Sequence, residues 1–177
     1  MNKNQFRTKA LRKLRAISKL RSYLIDKEIN AKLYKIIKNT KAKSVILYIP
    51  LAMEVDIVPL IGQLRREGIV VLVPFMEGDS FRLVKYRLPL SVKKYGIKEP
   101  RISKQYRKQR IDISVVPIVG TDSTLRRIGF GKGMYDRFYA REKRNIIETI
   151  FVQRILCISH EVVTDDFDVR ADMIITG

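Results

Sequence analysis

Three runs constrain the fold of this chain more than any other feature: SVILYIP (Ser44–Pro50), IVVLVP (Ile69–Pro74) and IDISVVP (Ile111–Pro117). Each has the length of a strand and is rich in β-branched residues. SVILYIP and IVVLVP lack the polar–apolar alternation of a strand with one wet face, and IDISVVP drops it at Val115-Val116. Such runs suit strands covered on both faces, as in a parallel sheet with helices on either side. The stretches between them carry helical signals. Phe6, Ala10, Leu14, Ile17 and Leu24 recur at steps of three or four residues or their multiples, with Lys and Arg between. A second helix is predicted over Lys27 to Lys38, with Asp26 as N-cap and Ile29, Leu33, Ile36 and Ile37 on its buried side. Asp56 is placed to cap a helix carrying Leu60, Ile61 and Leu64, which Gly68 would end.

FRLVKYR (Phe81–Arg87) alternates like a half-exposed strand, and YGIKEP (Tyr95–Pro100) reads as a loop. A further helix is predicted from about Gly133 to Arg144. RILCIS (Arg154–Ser159) and MIIT (Met173–Thr176) read as the closing strands. Buried β runs alternating with helices predict an α/β fold: a single domain over 1–177, a largely parallel sheet flanked by helices, and basic N-terminal helices.

Composition narrows the class. At 46% hydrophobic the chain is globular, and no apolar run is long enough to span a bilayer. The basic N-terminus lacks an apolar stretch with a small-residue cleavage site, so no secretory signal is expected. The single cysteine, Cys157, excludes an internal disulfide framework and reads as a buried small hydrophobe. A cytoplasmic protein is expected. The net charge of +18 is concentrated near the start, where residues 1–43 hold fourteen Lys and Arg against Asp26 and Glu28. Such a field attracts polyanions, and it also fits a solvated basic helix face. RISKQYRKQR (Arg101–Arg110) adds five basic residues in ten. With no groove-reading motif, no aromatic stacking platform and no tryptophan, nucleic acid is not expected as the main partner.

The stretch most suggestive of chemistry is GFGKGMYDRF (Gly129–Phe138). In open α/β sheets ligands bind beyond the carboxyl ends of strands, and this stretch follows IDISVVP. Its glycines let backbone N–H groups approach an anion, and the following helix N-terminus adds positive potential. Lys132 offers a point charge, Arg126 and Arg127 add more, and Asp136 is a hard oxygen ligand of the kind Mg²⁺ prefers. The pattern is neither of the common nucleotide fingerprints. GxGxxG would need glycine where Met134 stands, and the P-loop would need Ser or Thr where Gly133 stands. From the residues alone, a phosphate site and a mobile turn both remain open. Asp136 also fits a helix first-turn carboxylate, Asp172 a partner for Arg170, Glu54 a cap-region acid, and Arg12 a water-facing side chain. His160, the lone histidine, reads as structural.

RIGFGKGMYDRF (Arg127–Phe138) resembles the RLGxGxGYYD signature of the 5-formyltetrahydrofolate cyclo-ligase (methenyltetrahydrofolate synthetase) family. The neighbouring segments agree in order: YIPLAMEVD (Tyr48–Asp56), YGIKEP, VVPIVGTD (Val115–Asp122) and DVRADMIIT (Asp168–Thr176). The resemblance runs from about Lys9 to Thr176. It implies conversion of 5-formyltetrahydrofolate to 5,10-methenyltetrahydrofolate with ATP as co-substrate and Mg²⁺ as cofactor. Phosphorylation of the formyl oxygen would precede ring closure. It also implies roles. Arg127, Gly129, Gly131, Lys132, Gly133 and Tyr135, with Lys9 and Arg12 from the first helix, would bind ATP. Ile49, Glu54, Phe130, Gly131, Lys132, Gly133 and Met134 would meet the folate. Lys132 and Asp136 would be catalytic, and Asp136 and Asp172 would hold the metal. A monomer is expected.

The departures from the family pattern are specific. Met134 stands where the first of two tyrosines is usual, so a flexible thioether replaces an aromatic face. The first helix usually carries Lys-x-x-x-Arg. Counting back from Arg12 reaches Thr8, flanked by Arg7 and Lys9, either of which is a candidate substitute. Ile57 stands where Thr is common, and the family varies at the position of Lys132.

Overall fold

A computed structural model describes residues 1–93, 96, 98–101, 104–106 and 110–177. Tyr95 and Ile97 of YGIKEP, and Ile102, Ser103 and residues 107–109 of the basic stretch, lie outside the described residues. The strands in chain order are β1 (Ser44–Ile46), β2 (Val70–Glu77), β3 (Ser80–Lys85), β4 (Leu90–Val92), β5 (Lys98–Pro100), β6 (Ile111–Pro117), β7 (Gly120–Asp122), β8 (Arg127–Ile128), β9 (Ile146–Val152), β10 (Ile158–Ser159) and β11 (Met173–Ile175). The helices are α1 (Lys3–Arg15), α2 (Lys19–Asn39), α3 (Val58–Arg66) and α4 (Met134–Glu142). Six strands form the central sheet in the order β11-β9-β6-β1-β2-β3. All neighbours are parallel except β2 and β3.

The apolar runs behave as their composition requires. Alternate residues of each strand enter opposite layers. Val45, Val71, Ile113 and Ile150 pack with α2 and α3 on one face. Ile46, Leu72, Val116 and Phe151 pack with Phe138 and Tyr139 of α4 on the other. A third, smaller cluster joins Phe6 and Ala10 of α1 to Val119, Ile128 and Cys157. It seats α1 on the small sheet β10-β7-β8, which continues from the carboxyl end of β6. Gly120 permits that seat, because a Cβ there would lie 2.5 Å from the Phe6 ring.

Several sequence expectations need correction. The first helical period does not run on to Leu24. It ends at Arg15, and Ser18 starts α2 by accepting from the Arg21 N–H. Leu24 is then on the outer face, 56% exposed. Asp26 is not an N-cap but a buried residue within α2, on the stripe it shares with Ile29, Leu33 and Ile37. The α3 prediction holds for the helix and for Gly68, which follows it at φ +76°, but not for the cap. Ile57 is the N-cap and makes no side-chain capping bond, because Asp56 lies one residue too early and its carboxylate turns onto the Val58 N–H at 3.0 Å. YGIKEP is not all loop, since Lys98–Pro100 pairs with β4. RILCIS contributes only its last two residues to a strand. The sequence reading missed the short strands β4, β7 and β8 and one strand of the central sheet, β9, which runs directly after α4 and a short 3₁₀ turn.

Candidate active site

Strand order reverses between β1 and β6. From β1 the chain moves outward to β2, whereas from β6 it moves the other way to β9. Segments leaving the carboxyl ends of two such strands diverge and leave a crevice, the usual ligand position in an open α/β sheet. Residues 47–57 leave β1 and carry Glu54. Residues 118–133 leave β6, pass through β7 and β8, and end in the glycine loop that starts α4.

The glycine loop is fixed by bonds to its backbone. Gly131 and Gly133 adopt φ of +93° and +63°, a region where a Cβ is strained. Gly133 is the N-cap of α4 and supplies no capping side chain. Arg7 of α1 donates from Nε to the Gly129 carbonyl at 2.7 Å, and its guanidinium lies beside Gly131. Arg137 of α4 donates to the Lys132 carbonyl at 2.6 Å and to the Asp79 carbonyl at 2.8 Å. These bonds engage carbonyl oxygens. Backbone N–H groups of the loop and of the first turn of α4 are the complementary resource for an anion.

Beneath the loop sits Arg127, 6% exposed. Its Nε and Nη2 both donate to the Pro117 carbonyl, at 3.1 and 3.0 Å. Its guanidinium lies over the Tyr135 ring at 4.7 Å. Tyr135 also meets Phe81 edge to face, with centroids 5.0 Å apart. Burial, and then the nearby Glu54 charge, push the Tyr135 hydroxyl far above its ordinary pKa, so it stays protonated. The Tyr48 hydroxyl is raised in the same way and donates to the Val55 carbonyl at 2.9 Å.

Glu54 faces this group from the β1 loop. Its Oε2 accepts from the Leu51 N–H at 2.8 Å, and its own N–H donates to the Leu51 carbonyl at 3.0 Å. Burial raises its pKa, while the Leu51 N–H and the charges of Arg127 and Arg154 pull it back. The loop is braced from behind. Arg154, just after β9, grips Asp26 with two bonds, Nε to Oδ1 at 2.7 Å and Nη2 to Oδ2 at 2.8 Å. Asp26 also accepts from the Asp56 N–H, and Arg154 donates to the Ala52 carbonyl.

The remaining predicted residues are placed as follows. Asp136 is in the first turn of α4, with Oδ1 3.4 Å from the Val169 N–H. Asp172 lies at the entry to β11 and exchanges two bonds with Thr149 of β9; its Oδ2 accepts the Thr149 N–H at 2.8 Å. One short segment, Val169 to Asp172, thus passes both acids. Among the described residues no three His, Cys, Asp or Glu side chains gather as a metal cage. A pair of carboxylates suits Mg²⁺, which keeps several waters and takes other oxygens from phosphates. Ile49 borders the α2–α3 core layer, and Met134 packs against the layer beneath α4. Phe130 packs against the α1 cluster. Lys9 and Arg12 are exposed on α1. Of the candidate substitutes near Thr8, Arg7 is the one bonded to the glycine loop. Sequence reasoning missed Tyr48, Arg154 and the role of Asp26. Only the charged Asp26 on an apolar helical stripe offered a signal, and it was read as a cap.

The sequence profile of the 5-formyltetrahydrofolate cyclo-ligase family matches residues 1–177. The chain is 26% identical to a 5-formyltetrahydrofolate cyclo-ligase from Mycoplasma pneumoniae, covering 99% of this chain and 98% of that one. Its structure is similar to two solved 5,10-methenyltetrahydrofolate synthetases. For the M. pneumoniae protein the TM-score is 0.76 at 25% identity, over 98% of both chains. For the Aquifex aeolicus protein it is 0.84 at 29% identity, over 99% of this chain and 90% of that one.

Proposed function

This chain belongs to the 5-formyltetrahydrofolate cyclo-ligase family, and we propose that it converts 5-formyltetrahydrofolate and ATP to 5,10-methenyltetrahydrofolate, ADP and phosphate as one domain spanning residues 1–177. The observation that carries the reading is the facing of two loops at one switch point. The glycine loop, rich in anion-binding groups, stands on one side, and Glu54, a partly buried acceptor, stands on the other.

The chemistry asks for positioning and charge neutralisation. The formyl oxygen is a poor leaving group until it is phosphorylated. The bridging nitrogen then attacks the activated carbon, the ring closes and phosphate departs. Glu54 accepts paired N–H donors from the pterin and so orients the folate. Ile49, Phe130 and Met134 supply apolar borders to its pocket. Gly129, Gly131 and Gly133 let backbone N–H groups approach the ATP phosphates, with Arg127 behind them and Lys132 beside the transferring group. Arg7, bonded to the loop, takes the place expected for Lys9, with Arg12 further along the helix. Tyr135 stays neutral and holds Arg127. Asp136 and Asp172 are hard oxygen donors and would hold Mg²⁺, which neutralises phosphate charge when bound.

The test is absorbance detection of methenyltetrahydrofolate formed from 5-formyltetrahydrofolate and MgATP. Folded protein without turnover would refute the activity. Asp136→Ala is expected to abolish turnover and leave thermal unfolding near that of the parent. An unchanged rate would refute the metal assignment.

A further inference from the structure

Asp26 poses a problem that the proposed reaction does not use. It sits on the apolar stripe of α2, 6% exposed, where a carboxylate is costly unless fully partnered. Its partner Arg154, 9% exposed, lies 128 residues away. A buried ion pair is weak evidence for stability, because apolar replacement is often no worse. What the pair does touch is specific. Asp26 Oδ2 accepts from the Asp56 N–H at 3.1 Å, and Arg154 Nη1 donates to the Ala52 carbonyl at 3.4 Å. Asn30, one turn after Asp26, donates to the Asp56 carbonyl at 2.7 Å. These bonds hold the backbone on both sides of Glu54, whose own carboxylate is turned back onto Leu51.

We propose that Asp26 and Arg154 form a positioning clamp for folate binding: together they fix the Ala52–Asp56 turn from behind and so hold Glu54 in the place where it meets the folate. The proposal rests on the reading that Glu54 meets the folate. The clamp also has an electrostatic side. Glu54 is raised by burial and faces Arg127 from β8, Arg154 after β9, Tyr48 after β1 and Tyr135 of α4, with Asp26 of α2 behind Arg154. The Arg154 charge is one of the forces holding Glu54 down. Removing it moves ionisation of Glu54 to higher pH.

Two variants separate the roles. Asp26→Asn keeps the Arg154 charge and weakens the clamp, whereas Arg154→Gln removes both. In each, KM for 5-formyltetrahydrofolate is expected to rise toward about 10²-fold, the order of loss that a 1 Å misplacement brings. KM for ATP stays within about twofold, since the glycine loop is held by other residues. In Arg154→Gln alone, the acid limb of kcat/KM for the folate moves to higher pH. Hydrogen exchange gives a readout independent of turnover: the Glu54–Asp56 amides are expected to exchange faster in both variants while those of β6 stay protected. Unchanged exchange would overturn the clamp whatever the activity. Faster exchange with an unchanged folate KM would overturn its link to substrate. Inactivity of the parent protein would overturn the cyclo-ligase reading, and the substrate role with it, while the exchange result still decides the clamp.

Discussion

Gly129→Ala makes a small change with a large expected effect. A Cβ at Gly129 would lie 2.2 Å from Arg127 Nη1 and 2.6 Å from Cζ. An exposed arginine would step aside at little cost. Arg127 is buried, spans the Pro117 carbonyl with two donors and covers the Tyr135 ring. Displacing it gives up charge-assisted bonds to a buried carbonyl, about 1.5–3 kcal/mol, and a desolvated cation–π contact, about 1–2 kcal/mol. Taking about 3 kcal/mol, and a shift of about 2–4 °C per kcal/mol for a chain of this size, the midpoint should fall by roughly 6–12 °C. Far-UV circular dichroism during heating measures it. The folate KM should also rise, because Arg127 is one of the two charges that face Glu54.

A double-mutant cycle tests the cause. If displacement of Arg127 is the mechanism, Gly129→Ala should cost little in an Arg127→Gln background, leaving a coupling of about 2–3 kcal/mol, the upper range for neighbours. A midpoint within about 2 °C of the parent, or strictly additive costs, would refute the reasoning.

Glu54→Gln should stabilise the protein at neutral pH. Glu54's folded pKa lies above the ordinary 4.5, so its ionised form opposes folding. That cost grows as pH rises from 4.5 to the folded value, and is complete above it. The gain in thermal midpoint should vanish below pH 4.5 and accompany a higher folate KM; no gain at neutral pH would count against it. Asp122→Asn should do the reverse. Burial pushes Asp122 up, but donors from Thr124, Thr164 and Val163 outweigh it and hold the carboxyl well below 3.8. Its stabilising charge is present above that value and lost as pH falls through the folded pKa. Urea titration should show a loss of about 3 kcal/mol at neutral pH and a flatter acid limb. Asp26→Leu alone should cost about 3–5 kcal/mol, whereas Asp26→Leu with Arg154→Met should recover most of it without restoring the folate KM. Recovery of both would make the pair merely structural.

Legibility followed how local each cause is. IDISVVP was readable to its ends because its apolar residues serve both layers, Ile113 and Val115 on one face and Val116 on the other, whatever the helices do. The glycine loop was readable because positive φ at 131 and 133 asks for glycine. β9 was missed because Glu148 and Thr149 interrupt its apolar run and it follows α4 after only a 3₁₀ turn. Thr149 nonetheless belongs inside: its hydroxyl lies 3.2 Å from that of Tyr139, and its backbone meets Asp172. Asp26 was misread because its partner is remote. An aspartate before an amphipathic run is a reasonable cap until a guanidinium from 128 residues downstream is seen to hold it.

The N-terminal charge divides along the same line. Of the basic residues on α1, Arg7 reaches the glycine loop, whereas Lys9, Arg12, Lys13 and Arg15 face solvent. What places Arg7 is the apolar stripe of Phe6 and Ala10 against the β10-β7-β8 sheet, and that seat requires Gly120. Exposed charges of this kind attract anions at a distance and in a salt-dependent way. Arg7 acts by contact, and its bond to the Gly129 carbonyl links the angle of α1 to the shape of the loop. Association with the two proposed substrates, ATP and 5-formyltetrahydrofolate, should therefore weaken with ionic strength through the exposed residues. Loop geometry should depend on Arg7 and its seat, and hardly on salt.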